Sequence, residues 1–455
     1  MKAHHTLSGY KQLPLAGIGL DDNGHSTFAD PAFSSNKSLP IHRWAPWIAG
    51  FSSDFVASAL AKYLNRPGLI LDPFTGVGTT LVEAILHGHN AIGFEINPYA
   101  ALASELKANA YRMDVTALKG EILRFQTFYQ TALSTNYTPC RSYPREFKTR
   151  SAFYSPKVLH KVLIVWDFIE TTQDIHIRDL FRLAFGSTMV RYSNYSYEPS
   201  LGRRTSAGKE EIKDFPVGEA ILGKLREMAE DIAWLKHTLS NNATLDVKVI
   251  CDSFFHHENY LAPESVDLII TSPPYLNNYH YIRNTRPQLY WLGFAQHPKD
   301  LENLEQANFG KYWQTVRAGM PVQLEFSLPD TDIAARLDML RSTNPERSVY
   351  GGGGWANYAA SYFNDCRRFA LGIKRVLKPG GTALVVIGNS ILQGILIPTD
   401  QYFGKIAEHI GLELVSIEIP RATRVGNSII RSDVRVAKAR DKHRLYEAVV
   451  EMRKR

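Results

Sequence analysis

The sequence predicts an α/β fold with a doubly wound, Rossmann-like sheet of seven strands and a large, mostly helical insertion. Three observations support this prediction: short apolar runs alternate with amphipathic segments, a glycine-rich loop joins the first run to a helix, and two long stretches interrupt the series. Apolar residues make up 44% of the 455-residue chain and charged residues 21%, as is usual for a globular protein with a large core.

The first strand and its neighbours form a strand–helix–strand unit. An amphipathic helix over 55–64 precedes the apolar run "GLILD" (68–72), which is a short buried strand. The loop "PFTGVG" leads into the helix "TTLVEAILHG" (79–88), and "NAIGFE" (90–95) is the next strand. This order is typical of parallel sheets.

Strand signals resume only after a long helical stretch. The later candidates are "DVKVIC" (246–251), "SVDLIIT" (265–271), "TALVVIG" (382–388), "LELVSIEI" (412–419) and "RLYEAVVEM" (444–452). We therefore expect an N-terminal tail or strap over 1–41, a sheet domain over 42–104 and 243–455 with a smaller insertion at 294–350, and a helical insertion over 105–242.

Charge and cysteine content limit the possible partners. A formal charge of +7 and a pI near 9.0 favour a polyanion such as nucleic acid without proving one. The three cysteines lack paired spacing and His256-His257 has no third ligand nearby, so neither a disulfide framework nor a metal site is expected. No run approaches 18 apolar residues, and the N-terminal segment lacks an export signal. We expect a cytoplasmic protein that does not enter a membrane.

The glycine loop indicates a nucleotide-like cofactor. Gly76 and Gly78 allow a tight turn and a close approach to a ligand at the start of a helix. Asp72 ends the strand before them, and Glu95 ends the next strand at a spacing that suits hydrogen bonds to ribose hydroxyls. The Lys-Ser/Thr of a phosphate-binding loop is missing, which favours a nucleoside without a triphosphate. Asp252, after the third strand, is either a ligand of an adenine amino group or a turn residue.

A second unusual element is the elbow Ser272-Pro273-Pro274-Tyr275, directly after the apolar run 265–271. Neither proline has an N–H group, so the strand cannot continue in a sheet. Carbonyl oxygens at such an elbow are available to accept hydrogen bonds from a ligand.

With "DPFTGVGTT", "GFEINPYA" and "TSPPYLNN" in this order, the chain resembles the S-adenosylmethionine-dependent DNA amino-methyltransferases, which modify cytosine N4 or adenine N6. The resemblance covers about 42–110, 245–294 and 355–453 and implies the seven-stranded methyltransferase sheet. The segment "HRWAPWIAGFSSDFV" resembles the part of the family's cofactor site that precedes the glycine loop. Together, loop position and resemblance assign these residues to S-adenosylmethionine: Phe51, Asp72, Pro73, Phe74, Gly76, Gly78, Thr79, Thr80, Glu95, Asn97 and Asp252.

The elbow matches the family's catalytic motif, with Ser272, Pro273, Pro274 and Tyr275 as catalytic residues. In this family SPPY is commonest in cytosine-N4 enzymes, whereas DPPY and NPPY are commoner in adenine-N6 enzymes, so cytosine N4 is preferred and adenine N6 stays open. An RNA base-amine methyltransferase and a DNA-binding module with a dead site are further alternatives. Carbon-5 methylation through Cys140 is disfavoured, because that cysteine lies in the helical insertion.

The substrate expected from the resemblance is DNA, double-stranded and with the target base flipped out. Between Arg141 and Lys209 there are 12 Lys or Arg against 6 Asp or Glu, with tyrosines interleaved, which makes the 105–242 insertion the first candidate for target recognition. The alternative is a helical subdomain with a solvated basic face. The predicted substrate contacts are Asn277, Asn278, Arg203 and Arg204. A cognate restriction nuclease is a candidate partner, and the sequence does not indicate an oligomeric state.

Overall fold

The computed structural model describes residues 26–31, 36–47, 50, 52–197, 200–239, 245–276, 281–311, 316, 320–343, 354–422 and 445–455. Its strands are β1 (Leu69–Asp72), β2 (Asn90–Phe94), β3 (Tyr195–Tyr197), β4 (Leu201–Arg203), β5 (Val247–Ile250), β6 (Val266–Thr271), β7 (Leu377–Gly388), β8 (Ser390–Leu392), β9 (Ile395–Ile397), β10 (Glu413–Ala422) and β11 (Tyr446–Arg453).

The described helices include thirteen α-helices in chain order. They are α1 (Ser53–Tyr63), α2 (Thr79–Leu86), α3 (Pro98–Ala108), α4 (Val115–Ser134), α5 (Pro156–Thr171), α6 (Ile175–Thr188), α7 (Val217–Thr238), α8 (Tyr281–Asn284), α9 (Arg286–Trp291), α10 (Pro298–Ala307), α11 (Ile333–Thr343), α12 (Gly354–Val376) and α13 (Thr399–His409). None of the helices in the described ranges is long and apolar enough to cross a bilayer.

Seven strands form one mixed sheet in the order β10-β11-β7-β6-β1-β2-β5. The five strands from β5 to β7 run parallel, and β11 lies antiparallel between β7 and β10. The order reverses at β1, which has β2 on one side and β6 on the other. Ligands of open α/β sheets bind at such a reversal, outside the carboxyl ends of the strands. The predicted seven-stranded α/β fold is confirmed.

The strands in the middle of the sheet are buried because helices cover both faces. The burial of β6 is nearly continuous along "VDLIIT", as expected for a parallel strand covered on both sides. Beside it, β1 is buried from Ile70 to Asp72. Close packing also constrains β2, since a Cβ atom on Gly93 would lie 2.8 Å from the Thr75 side chain.

The helical insertion packs directly on the sheet domain. Apolar residues of α4 to α7 belong to one continuous core with those of α1, α2 and α3. At one contact, a Cβ atom on Gly186 of α6 would lie 2.7 Å from the Tyr99 ring of α3, so the two helices are in close contact. The insertion also carries a short antiparallel hairpin, β3–β4. The two parts therefore share one core.

A short N-terminal segment lies against strand β10. Ser26 Oγ and the Thr27 N–H and Oγ1 all donate hydrogen bonds to the buried Glu418 carboxylate, at 2.6 to 2.8 Å. These contacts hold residues 26–31 at the end of the sheet. Residues 1–25 of the predicted tail lie outside the described part of the chain.

Candidate active site

A cleft lies at the carboxyl ends of β1, β2, β5 and β6. The predicted site residues that line it are Pro73, Phe74, Gly76, Glu95, Asn97, Asp252, Ser272 and Pro274. Residues from both halves of the sequence, about 200 positions apart, are thus brought to one edge of the sheet.

Two glycines shape the loop at the start of α2. Gly76 and Gly78 have φ angles of +52° and +86°, which most other residues avoid. A Cβ atom on Gly78 would lie 2.7 Å from Ser104 Oγ, and one on Gly76 would lie 3.1 Å from Trp47 Nε1. Both glycines are required by backbone conformation and by close packing.

Asp72 is buried and does not line the cleft. Its carboxylate accepts hydrogen bonds from Thr80 Oγ1 and Thr271 Oγ1, both at 2.6 Å, and from the Phe74 N–H at 3.0 Å. Burial raises the pKa of Asp72 to about 6, although these three donors oppose the shift. Asp72 therefore ties together the end of β1, the loop, α2 and β6.

Thr79 and Thr80 are also buried in the first turn of α2. Thr79 Oγ1 accepts a hydrogen bond from Asn36 Nδ2 at 3.3 Å. Like Gly78, both threonines lie outside the set of residues that line the cleft. For these three residues and Asp72, direct cofactor contact stays a prediction, and the observed contacts are within the protein.

Two acidic side chains line the cleft in different electrostatic states. Glu95 is half-buried and accepts the Asn97 N–H at 2.8 Å, and burial raises its pKa to about 7. Burial also acts to raise the pKa of Asp252. Hydrogen bonds from His256, the Ser253 N–H and Tyr260 outweigh the effect of burial and hold the pKa of Asp252 below its ordinary value. At neutral pH, Asp252 is ionised while Glu95 is near its midpoint.

Asn97 connects the cofactor half of the cleft to the segment after the elbow. Its Oδ1 accepts the Tyr99 N–H at 3.1 Å and so caps α3, while its Nδ2 donates to Thr285 Oγ1 at 2.7 Å. Thr285 lies between α8 and α9. The predicted cofactor residue thus also fixes where the chain goes after the elbow.

The elbow is held by side chains from distant strands and helices. Tyr362 of α12 donates a 2.9 Å hydrogen bond to the Pro274 carbonyl. Ser272 Oγ donates to the Tyr275 hydroxyl at 3.4 Å, and that hydroxyl donates to Glu447 Oε1 of β11 at 3.3 Å. Burial and the nearby Glu447 carboxylate raise the pKa of Tyr275 well above its ordinary value. Tyr275 therefore remains protonated.

Four further aromatic residues line the cleft: Trp47, Phe254, Tyr281 and Phe309. The Trp47 and Tyr281 rings are stacked, with centroids 5.9 Å apart and planes at 8°. Phe309 packs edge-on against Phe74 at 5.2 Å. Trp47 lies in the segment matched to the cofactor site, which is the one sequence signal that could have identified it. Phe309 comes from the smaller insertion and had no such signal.

Some of the predicted contact residues do not line the cleft. Phe51, Asn277 and Asn278 lie outside the described part of the chain. Arg203 ends β4 and is exposed, while Arg204 donates through Nε to the Glu210 carbonyl at 2.8 Å.

The hairpin that carries the two arginines is anchored next to the elbow. The Tyr197 hydroxyl donates to the Asn284 carbonyl at 3.0 Å, and the Leu201 N–H donates to Asn284 Oδ1 at 3.2 Å. Asn284 ends α8, which begins five residues after Leu276. Cys140 lies instead between α4 and α5, where its N–H donates to Asp167. Within the described ranges, no cluster of three or more His, Cys, Asp or Glu side chains could hold a metal ion.

The cleft has the features that a nucleoside cofactor requires. Two acids at neighbouring strand ends can accept hydrogen bonds from hydroxyl and amino groups. The rings of Phe74, Phe254 and Phe309 provide an apolar wall, and the missing side chain at Gly76 leaves backbone accessible. The residues present therefore fit a nucleoside-type cofactor.

Comparisons with known proteins find DNA methyltransferases. A DNA methylase family model of the N6/N4 class matches residues 31–105. The type II methyltransferase M.BsoBI of Geobacillus stearothermophilus is 25% identical over 434 residues, which cover 87% of this chain and 83% of the relative. The type II methyltransferase M.AvaI of a Nostoc species is 25% identical over 419 residues, covering 87% and 84%.

A shorter match is more similar. The type II methyltransferase M.MjaII of Methanocaldococcus jannaschii is 36% identical over 87 residues, which cover 19% of this chain and 16% of the relative. The family match includes the glycine loop and Glu95, and the two longer relatives align over most of the chain. These matches confirm the resemblance of the chain to the N6/N4 class of S-adenosylmethionine-dependent DNA amino-methyltransferases.

Proposed function

We propose that the protein transfers the methyl group of S-adenosylmethionine to the N4 amine of a cytosine flipped out of duplex DNA. The observation that carries this proposal is that Ser272, of the SPPY elbow, lines the same cleft as Glu95 and Asp252. A cofactor held by the two acids would then share one cavity with the base held by the elbow.

The cofactor half of the cleft is assigned from its side chains. Glu95 accepts hydrogen bonds from the ribose hydroxyls, and Asp252 accepts one from the adenine amino group. Phe74 and Phe309 provide the apolar contact for the adenine ring. Asp72 acts indirectly, because its three hydrogen bonds hold the loop in place. Phe51 is assigned to the methionine end by the resemblance.

The elbow positions the amine of the base. The carbonyls of Ser272 and Pro273 accept its two hydrogens, which aims the nitrogen lone pair at the reactive methyl group. They also stabilise the positive charge that develops on the nitrogen. S-adenosylmethionine supplies a methyl group that is already activated by its sulfonium. The ring of Tyr275 supports the base by stacking, worth about 1–3 kcal/mol.

DNA binding is assigned to the insertion and to the segment after the elbow. Arg203 is exposed on the hairpin that contacts α8, so a phosphate bound there would lie on the side of the molecule where the elbow ends. Arg204, Asn277 and Asn278 complete the proposed contacts with DNA. The type II relatives suggest that a cognate restriction nuclease is the biological partner.

The test is to incubate the protein with methyl-labelled cofactor and unmethylated duplex DNA, and to analyse the nucleoside digest by mass spectrometry. We expect N4-methylcytosine. A digest with only N6-methyladenine would overturn the choice of base, and label in RNA but not DNA would overturn the choice of substrate. Ser272→Ala/Tyr275→Ala is the matched negative control, and undiminished methylation by it would exclude the elbow as the site.

A further inference from the structure

The elbow provides acceptors for the amine, yet the product must still lose a proton. Once the amine nitrogen has formed its new bond to carbon, it carries a positive charge and one hydrogen too many for a neutral methylamino group. Proton transfer to a positioned group typically accelerates such reactions by about 10²–10⁴-fold. The two carboxylates that line the cleft, those of Glu95 and Asp252, follow strands β2 and β5, whereas Ser272 follows strand β6.

A carboxylate lies two hydrogen bonds away from Ser272. Ser272 Oγ donates to the Tyr275 hydroxyl at 3.4 Å, and the Tyr275 hydroxyl donates to Glu447 Oε1 at 3.3 Å. All three side chains are half-buried. Both distances are long for hydroxyl hydrogen bonds, and catalytic hydrogen bonds of this length often shorten in the complex with substrate.

The fold holds Glu447 firmly in this place. Glu447 pairs with Gly388 across the β11–β7 ladder. The preceding residue, Tyr446, donates its N–H to Asn389 Oδ1 at 2.9 Å and its hydroxyl to the buried Asp400 carboxylate at 3.1 to 3.2 Å. These bonds fix the first residues of β11, so the carboxylate at 447 is pre-positioned.

Gly388 makes the contact between Tyr275 and Glu447 sterically feasible. A Cβ atom on Gly388 would lie 3.2 Å from Tyr275 Cδ2 and 3.0 Å from the Tyr446 carbonyl oxygen. The Tyr275 ring therefore packs against the bare backbone at the end of β7. Its hydroxyl then reaches the carboxylate on the neighbouring strand.

We infer that Glu447 is the terminal proton acceptor for the methylated base and acts through Tyr275 and Ser272. The inference rests on the proposed function. It assigns Glu447 as a positioning residue, since its carboxylate contacts the base only through the two hydroxyls.

Methyl transfer is followed by the movement of one proton from the amine to Glu447. The nitrogen lone pair forms the N–C bond while the C–S electron pair remains on sulfur, which becomes a neutral thioether. After the new bond has formed, one of the two amine protons leaves the carbonyl oxygen that accepts it and passes to Ser272 Oγ, as the Ser272 hydroxyl proton passes to Tyr275. The Tyr275 proton passes to Glu447, whose carboxylate becomes a carboxylic acid. Both hydroxyls are restored, which agrees with a tyrosine that does not ionise alone.

The experiment measures methyl transfer in a single turnover on duplex DNA, with the protein in excess, so that product release does not limit the rate. Glu447→Gln keeps the shape but cannot take up the proton, and Tyr275→Phe keeps the ring but removes the connecting hydroxyl. We expect each variant to slow transfer about 10²-fold. The dissociation constants for S-adenosylhomocysteine and DNA should not change, which a purely structural role would not predict.

The double variant and a matched control complete the test. Glu447→Gln/Tyr275→Phe should be no slower than the slower single variant, because both changes interrupt one chain. Glu413→Gln, on strand β10, removes a carboxylate whose partner is Arg455, and it should transfer at the wild-type rate.

The outcomes separate this inference from the proposed function. If the wild-type protein does not methylate DNA, the proposed function itself fails. If it does, and Glu447→Gln transfers at the wild-type rate, or the two losses multiply in the double variant, then Glu447 is not the acceptor. Should Glu447→Gln fail to fold in a thermal melt, Tyr275→Phe decides, because a wild-type rate without that hydroxyl overturns the relay.

Discussion

The raised pKa of Glu95 predicts that cofactor affinity depends on pH. Burial places this pKa at about 7. A carboxylate accepts hydrogen bonds from ribose hydroxyls, whereas a protonated acid is a weaker acceptor, so protons compete with the cofactor. Because the folded pKa is raised, affinity is lost as pH falls through about 7. The ionised fraction of Glu95 is about 91% at pH 8 and about 9% at pH 6. The dissociation constant of the cofactor should therefore rise about tenfold when the pH falls from 8 to 6.

The assay is isothermal titration of S-adenosylhomocysteine, which carries the same ribose and is not consumed, at several values of pH between 6 and 8. Glu95→Gln should bind more weakly at pH 8, by about 1.5–3 kcal/mol for hydrogen bonds to a charged group, and its affinity should be nearly constant with pH. Asp252→Asn is the control. Because the pKa of Asp252 lies below its ordinary value, this carboxylate stays ionised from pH 6 to pH 8, and the variant should keep the tenfold change in the dissociation constant. If Glu95→Gln kept the slope of the wild-type protein, the assignment of Glu95 would be wrong.

Three further predictions concern the loop, a buried lysine and the hairpin. In urea denaturation, Gly78→Ala should lower the free energy of unfolding by more than Gly88→Ala. Both glycines have positive φ, which costs an alanine roughly 1–2 kcal/mol, but only the Cβ atom at position 78 would also clash, with Ser104. Lys107 is buried, and burial lowers its pKa to about 7, so the folded protein releases a proton that the unfolded chain keeps. The free energy of unfolding should therefore rise by about 1.4 kcal/mol per pH unit above pH 7, up to the pKa of the lysine in the unfolded chain. The Lys107→Met variant should not show this rise. Arg203→Ala should weaken DNA binding and reduce the salt slope by about 1, whereas Arg455→Ala should not.

Each of these three has a result that contradicts it. Equal losses for the two glycine variants would mean that the loop tolerates a side chain. An unchanged pH dependence between pH 7 and 9 in the lysine variant would mean that the buried amine is not the titrating group. A DNA affinity and salt slope equal to those of the wild-type protein would remove the hairpin arginine from the interface.

The strand ends were predictable because local patterns define them. "GLILD" and "SVDLIIT" are apolar runs that end at a charged or proline-rich turn, and both are strands in the structure within one residue of the predicted bounds. Glu95 and Ser272 could then be placed in one cleft, since parallel strands end at the same edge. Asp72 was also correctly placed at a strand end. Its burial could not be predicted, because that depends on Thr271, far away in sequence.

Contacts between distant segments were the part that the sequence did not reveal. Tyr275 and Glu447 are 172 positions apart, and Tyr362 is 88 positions from Pro274. No periodicity or spacing connects such pairs, because their approach depends on how β11 and α12 pack on the sheet. The Trp47–Tyr281 stack is a similar case.

The single core shared by the insertion and the sheet has a consequence for attempts to change DNA specificity. A recognition domain on a flexible linker can be exchanged between relatives, because each half folds without the other. Here residues of α6 pack against α3, so replacing the whole insertion would expose apolar surface on the catalytic half. Libraries restricted to the exposed side chains of the β3–β4 hairpin would leave that core intact. With target recognition assigned to the insertion as proposed above, we expect specificity to be altered more readily by surface substitution than by domain exchange.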